Sequence, residues 1–186
     1  MTPEELAKAY TVNGEQPFTD AVQRKYKKNS NLCSIGEVEH NVYFVVSGIV
    51  EAGMIANKED KIIEFVFPNE FTSSFSSLLS QQPSDVYLTC LTDCEIQIIT
   101  FSKLREDSKT SLAASQFYIQ SIEKAYLQRA KREKDFLTLS AEERYLKLVE
   151  TRPEVIQQIP VFRIAKYLGI HPDSLSRIRK TKFTNG

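Results

Sequence analysis

The sequence is short of the residues that most site chemistries need. Its three cysteines, Cys33, Cys90 and Cys94, do not make a disulfide framework. Cys90 and Cys94 stand four apart with no histidine near them, and the two histidines, His40 and His171, are far apart. Neither a zinc site nor a four-thiolate cluster is expected, so the thiols read as small buried hydrophobes. Six glycines leave little scope for a P-loop or Rossmann turn. No Ser–His–acid or metal constellation is visible, so neither an enzyme nor a cofactor is expected. No run of about 18 apolar residues occurs, which excludes a membrane-spanning helix. Met1 to Leu6 has neither a basic start nor an apolar core, so no signal peptide is read and a cytoplasmic location is expected.

What is present is an ordinary globular composition, 41% hydrophobic and 26% charged, with an uneven distribution of charge. The formal net charge is zero, yet residues 161–186 carry six Lys and Arg against Asp173 alone, a net +5. Residues 1–160 therefore carry −5. A basic tail on an acidic body points to a polyanion partner. Basic C-terminal helices that simply complement the helix dipole give the same asymmetry.

Three regions follow one another. Residues 1–20 read as a short helix, Pro3 to Ala9, and a loop. From Val22 to Phe101 the chain is β-rich. Val42–Val46 and Ile49–Val50 flank Ser47-Gly48 like a hairpin, and Asn57 to Asp60 is a second polar turn. Ile63, Phe65 and Phe67 form another strand, with Val86–Leu91 and Glu95–Ile99 after it. Short strands and regular turns predict an antiparallel sandwich or roll. After Phe101 the pattern is helical, with Ser102 as a cap for Lys103–Ser108. Residues 110–138 contain no Pro or Gly, and Phe117, Ile122, Tyr126 and Ala130 keep helical spacing. A helix of about 40 Å is implied. Its apolar stripe reads as a coiled-coil-like dimer seam or as packing on its own chain. Ser140 with Glu143 is a capping box that restarts the helix, and Arg152-Pro153 interrupts it. The fold class is α+β, in three units: a β-roll over 1–108, a dimerisation helix over 109–138 and a small all-helical unit over 139–186.

The last unit has the spacing of a helix-turn-helix. Ala165 is small where a second helix would cross, and Gly169, four residues on, can take φ > 0 in the turn. Ile170 plugs the corner, and Leu175 and Ile178 face Ile164 and Leu168. Pro172 suits a helix first turn, with His171 as its cap. The outer face then presents His171, Asp173, Ser174, Ser176, Arg177 and Lys180. Arg177 can bond guanine O6 and N7 bidentately. Asp173 can accept from cytosine or repel phosphate. His171, Ser174 and Ser176 suit phosphate oxygens, and Lys166, Arg179, Lys180 and Lys182 supply salt-dependent attraction. The alternative is a core helical hairpin with a solvated basic end.

A β-roll, a long helix and a C-terminal helix-turn-helix, in that order, resemble the Crp/Fnr family of bacterial transcription regulators. The resemblance is carried by "VYFVVSGIV" (42–50), "FPNEFTSSF" (67–75), Asp93-Cys94-Glu95-Ile96 and the terminal unit, and it runs over nearly the whole length. "LSAEERYLKLVETRPEVIQQIP" is similar to short members of Bacteroidetes type. The family implies a cupin-like, cyclic nucleotide-binding-like roll. It also implies a homodimer on a roughly palindromic duplex site, and RNA polymerase as a partner. Carried over residue by residue, Glu70 matches the ribose-binding glutamate, while Asn69 replaces a glycine. Thr72, Ser73 and Ser74 could favour an anion, and the phosphate arginine falls on Ser84 with Asp85 beside it, or on Pro83 if the alignment shifts by one. Without that arginine, cyclic AMP is not expected to bind tightly; losing a charged hydrogen bond forfeits about 1.5–3 kcal/mol. Glu70 and Ser73 then serve an unidentified small effector, or merely cap a turn. With four residues after Lys182, no wing is expected. The competing function is a cyclic-nucleotide-binding-like module that regulates a protein partner.

Overall fold

The computed structural model describes residues 21–183; the helix expected at Pro3 to Ala9 lies outside them. Among these residues, eight strands form the roll: β1 (Val22–Tyr26), β2 (Asn31–Cys33), β3 (Asn41–Ser47), β4 (Val50–Ala56), β5 (Glu59–Val66), β6 (Phe71–Thr72), β7 (Tyr87–Cys90) and β8 (Cys94–Thr100). They make two four-stranded sheets, ordered β1-β8-β3-β6 and β2-β7-β4-β5. Their pairings are antiparallel. Alternate residues of each strand point inward. Tyr43, Val45 and Ile96 of one sheet meet Val50, Ala52, Leu88 and Cys90 of the other in a buried core.

Ser47-Gly48 is not the hairpin that its sequence suggests. β3 pairs with β6 and β8, whereas β4 pairs with β5 and β7, so this turn carries the chain from one sheet to the other. Gly48 has φ +88°, and a Cβ there would collide with the Asp93 carbonyl and Cys94 Sγ, so the corner requires glycine on two counts. The genuine hairpin joins β4 to β5. Asn57 (φ 55°) and Lys58 (φ 63°) form its two-residue loop, with both residues left-handed as a type I′ turn demands.

Among the described residues, seven helices accompany the strands: α1 (Phe75–Ser80), α2 (Phe101–Asp107), α3 (Leu112–Thr138), α4 (Ala141–Thr151), α5 (Pro153–Gln158), α6 (Val161–Leu168) and α7 (Pro172–Phe183). Helix α2 is capped by Thr100, which accepts from the Lys103 amide; Ser102 lies inside the helix. Ser111 caps α3, whose 27 residues span about 40 Å. Phe117 anchors α3 to the roll among Val42, Leu78, Ile99, Phe101 and Leu104. Beyond Phe117 the large apolar side chains Ile119, Tyr126, Leu127 and Leu137 are exposed. The Ser140–Glu143 capping box is formed in both directions. None of the described helices is long and apolar enough to cross a membrane.

Helix α6 packs on β5, the edge strand of its sheet, and α4, α5 and α7 pack on α6. One cluster unites Ile49, Ile62, Phe65 and Phe67 of the roll with Tyr145, Leu148, Val155, Ile159, Ile164, Ala165, Leu168 and Leu175. Burying each large member contributes about 1.5–3 kcal/mol. The same packing hides an edge that would otherwise be open to strand addition.

Candidate functional site

The terminal unit is built as its sequence requires. Ala165 is fully buried where α6 meets α7, and Gly169 ends α6 at φ +71°. The Ile170 amide donates to Ala165 O at 3.0 Å, closing the turn by a Schellman-type bond. Leu175 is buried, and Ile170 and Ile178 pack against the shared core. Pro172 opens α7, and His171 Nδ1 accepts from the Asp173 amide at 3.3 Å, which makes His171 the cap.

The outer face of α7 is open. His171, Asp173, Ser176, Arg177 and Lys180 are exposed and Ser174 is half-buried. Arg177 has no ion pair with any described residue. The side chain of Lys182 lies outside the described residues. Lys166, expected at phosphate, lies 3.0 Å from Asp60 of β5 in an exposed ion pair.

A cavity of about 730 Å³ lies between the roll and α3. Of the six residues expected to hold an effector, Glu70, Thr72, Ser73 and Ser74 wall it, while Ser84 and Asp85 do not. Ser84 is buried behind the wall, where its hydroxyl lies 2.7 Å from Ser74 Oγ and accepts from the Val86 amide. Asp85 is exposed on the surface. Ser73 Oγ donates to Asn41 O at 2.8 Å. Glu70 accepts from the Phe67 amide at 2.8 Å, and both its oxygens lie within 3.2 Å of Arg152 Nη2. The polar wall of the cavity is thus largely engaged with the protein itself.

Other residues prove important here. Glu64 walls the cavity, and burial, with Glu70 close by, pushes its carboxyl up to about 7. The alternation Ile63-Glu64-Phe65 suggests a solvent-facing Glu64. A bulge opposite Ala52 and Gly53 breaks that alternation, and no local sequence signal announces it. Arg152, which the sequence marks only as a helix break, reaches Glu70, Glu154 and Phe65 O. Glu51 of β4 is the least expected. Its side chain is 3% exposed, and Arg163 Nη1 of α6 lies 2.7 Å from both its oxygens. Tyr87 OH donates to it at 3.2 Å.

Residues 23–107 match the cyclic nucleotide-binding domain family. No curated protein matches the chain. Over longer stretches, solved structures share its architecture. FixK2 from Bradyrhizobium japonicum is 18% identical, with a TM-score of 0.73 over 89% of this chain and 86% of that one. The c-di-GMP-responsive global regulator CLP of Xanthomonas campestris is also 18% identical, with a TM-score of 0.68 over 89% and 88%. A protein from Eubacterium rectale assigned to the Crp/Fnr family of transcriptional regulators is 13% identical, with a TM-score of 0.70 over 100% and 85%. The chain has the Crp/Fnr fold. Within this fold, the outer face of α7 stays exposed, while the roll is tied to the helical unit through Glu51, Asp60 and Glu70.

Proposed function

We propose that the chain is a homodimeric, sequence-specific DNA-binding transcription regulator. The observation that carries this reading is the exposed outer face of α7, with Arg177 unpaired among the described residues, on a turn closed by Gly169 and a helix capped by His171. A core hairpin would bury that face. Arg177 reads a guanine, while Lys180 and the other basic side chains of α7 contact phosphate.

The dimer forms along α3. Leu112, Ile119 and Tyr126 recur every seven residues and are 57%, 49% and 71% exposed. A stripe of that length left in water favours a coiled-coil partner, and a second copy supplies the matching stripe. Two reading helices then address half-sites about one helical turn apart.

The cavity does not suit cyclic AMP. No cation stands at Ser84, and Glu70 is held by Arg152. A different effector, or none, is the consistent reading. The decisive experiment is binding of the purified chain to a randomised duplex library at low and at high salt, with enrichment of a two-fold-related sequence as the expected result. No gel shift even at low salt would overturn DNA binding and favour a module acting on a protein partner. Titration calorimetry with cyclic AMP should show no micromolar binding.

A further inference from the structure

A helix leaves its last four carbonyls without intrahelical donors, and in α6 each of them has a donor. Ala165 O accepts from the Ile170 amide and Lys166 O from the Gly169 amide, both within the turn. The other two are served from outside the helix-turn-helix. Tyr167 O accepts from Arg132 Nη2 at 2.8 Å, and Leu168 O accepts from Arg144 Nη2 at 3.1 Å. Arg144 belongs to α4. Arg132 belongs to α3, the helix that carries the exposed apolar stripe.

Arg132 joins three parts of the molecule. The same Nη2 donates to Ile62 O of β5 at 3.0 Å. Its guanidinium lies 4.2 Å from the centre of the Tyr167 ring and 4.7 Å from that of Phe136. Phe136 in turn contacts the Arg144 guanidinium at 4.5 Å, and a Cβ on Gly169 would come within 3.0 Å of its ring. The ring therefore lies against the helix-turn-helix corner. A planar fork can donate along its edge while its faces lie against rings; an ammonium cannot do both. Arg132 also walls the cavity, beside Glu64.

We propose that Arg132 is the positioning residue that sets the angle of α6 and α7 against the roll and the dimer helix, and so sets the register of the two reading helices on duplex DNA. This rests on the reading of α7 as a DNA-binding helix. Arg132 itself touches no DNA. Its loss should therefore harm discrimination between sequences and leave sequence-blind attraction intact.

The test uses the full chain and two probes: a duplex that the wild type enriches from a randomised library, and a random-sequence duplex of equal length. Arg132→Gln and Arg132→Lys are compared by fluorescence anisotropy at fixed salt. The ratio of affinities for the two probes should fall on the order of tenfold in both variants. Random-duplex affinity should stay within about twofold. An unchanged ratio in Arg132→Gln would overturn the proposal. So would equal losses on both probes, which mark a merely structural role. If Arg132→Gln does not fold, Arg132→Lys decides: a wild-type ratio there means that charge alone suffices and the fork does not position the head. A wild-type chain that enriches no duplex would remove the DNA-binding reading, and the positioning role with it.

Discussion

The last two helices of the chain's described residues, α6 and α7, carry similar cationic side chains and use them in opposite ways. On α6, Arg163 is held by the buried carboxylate of Glu51 and Lys166 by Asp60, both from the roll. On α7, Arg177 stands exposed with no acidic partner among the described residues. The difference lies in what each helix faces. Helix α6 packs on β5, so its polar side chains meet roll acids, whereas α7 turns its outer face away from the core. The net +5 of residues 161–186 thus overstates the charge available to a polyanion. Part of the −5 on the rest of the chain is its internal counterpart.

The sharpest way to break this contrast is Arg163→Ala. It leaves Glu51, 3% exposed, with the Tyr87 hydroxyl as its remaining side-chain partner among the described residues. Orphaning a buried charge costs about 3–5 kcal/mol, read as a lower midpoint in denaturant unfolding. The double change Glu51→Gln with Arg163→Gln should recover much of that loss. A cost below about 1 kcal/mol for Arg163→Ala, the range of a surface pair, would mean that α6 is not braced by its cation.

Arg177→Ala should do the reverse. Stability should move by less than about 0.5 kcal/mol, because the side chain is exposed. Discrimination at one base position should fall by about 1–3 kcal/mol, measured on duplexes that differ at that position. A uniform loss across all sequences would reassign Arg177 to phosphate.

How much of this was legible follows from the range of the interactions. The helix-turn-helix was, because its requirements are local: a small residue at a crossing, a φ > 0 residue four later, apolar residues three apart. The Ser140 capping box was legible for the same reason. The Ser47-Gly48 corner was misread because a turn residue reports the backbone angle and not which strand is the neighbour. Ser102 lost the cap to Thr100 by two residues, the usual precision of a helix boundary. Glu51 with Arg163 lies beyond any such reading. The partners are 112 residues apart, and a carboxylate in a strand gives no sign that a distant helix will cover it. Ser84 matched the motif in register, yet a buried hydrogen bond to Ser74 holds it behind the cavity wall.

Glu64 extends the comparison to the cavity. Its folded-state carboxyl sits near 7, against an ordinary value of 4.5. Below 4.5 it is neutral folded and unfolded and costs nothing. As pH rises towards 7 the unfolded chain ionises first, so stability falls, and above 7 the whole penalty is present. Glu64→Gln should therefore melt higher than wild type at pH 8, by on the order of 1–2 kcal/mol since the group opens on the cavity, and the gain should vanish by pH 4. Equal gains at both pH values would show that packing, not ionisation, is at stake.

The smallest effect expected is at Asp60. Its pair with Lys166 is exposed on both sides, 50% and 37%, so Asp60→Asn should change stability by less than about 1 kcal/mol. Its consequence lies in DNA binding. Lys166 sits near the end of α6, close to the turn that leads into α7. Released from Asp60, it becomes available to a phosphate. Each added phosphate contact steepens the fall of log affinity with log salt by about 0.9. Asp60→Asn should therefore tighten random-duplex binding at low salt and steepen that slope by about one contact, without changing which sequence is preferred. An unaltered slope would place Lys166 out of reach of the duplex, and α6 would then serve only to hold α7 against the roll.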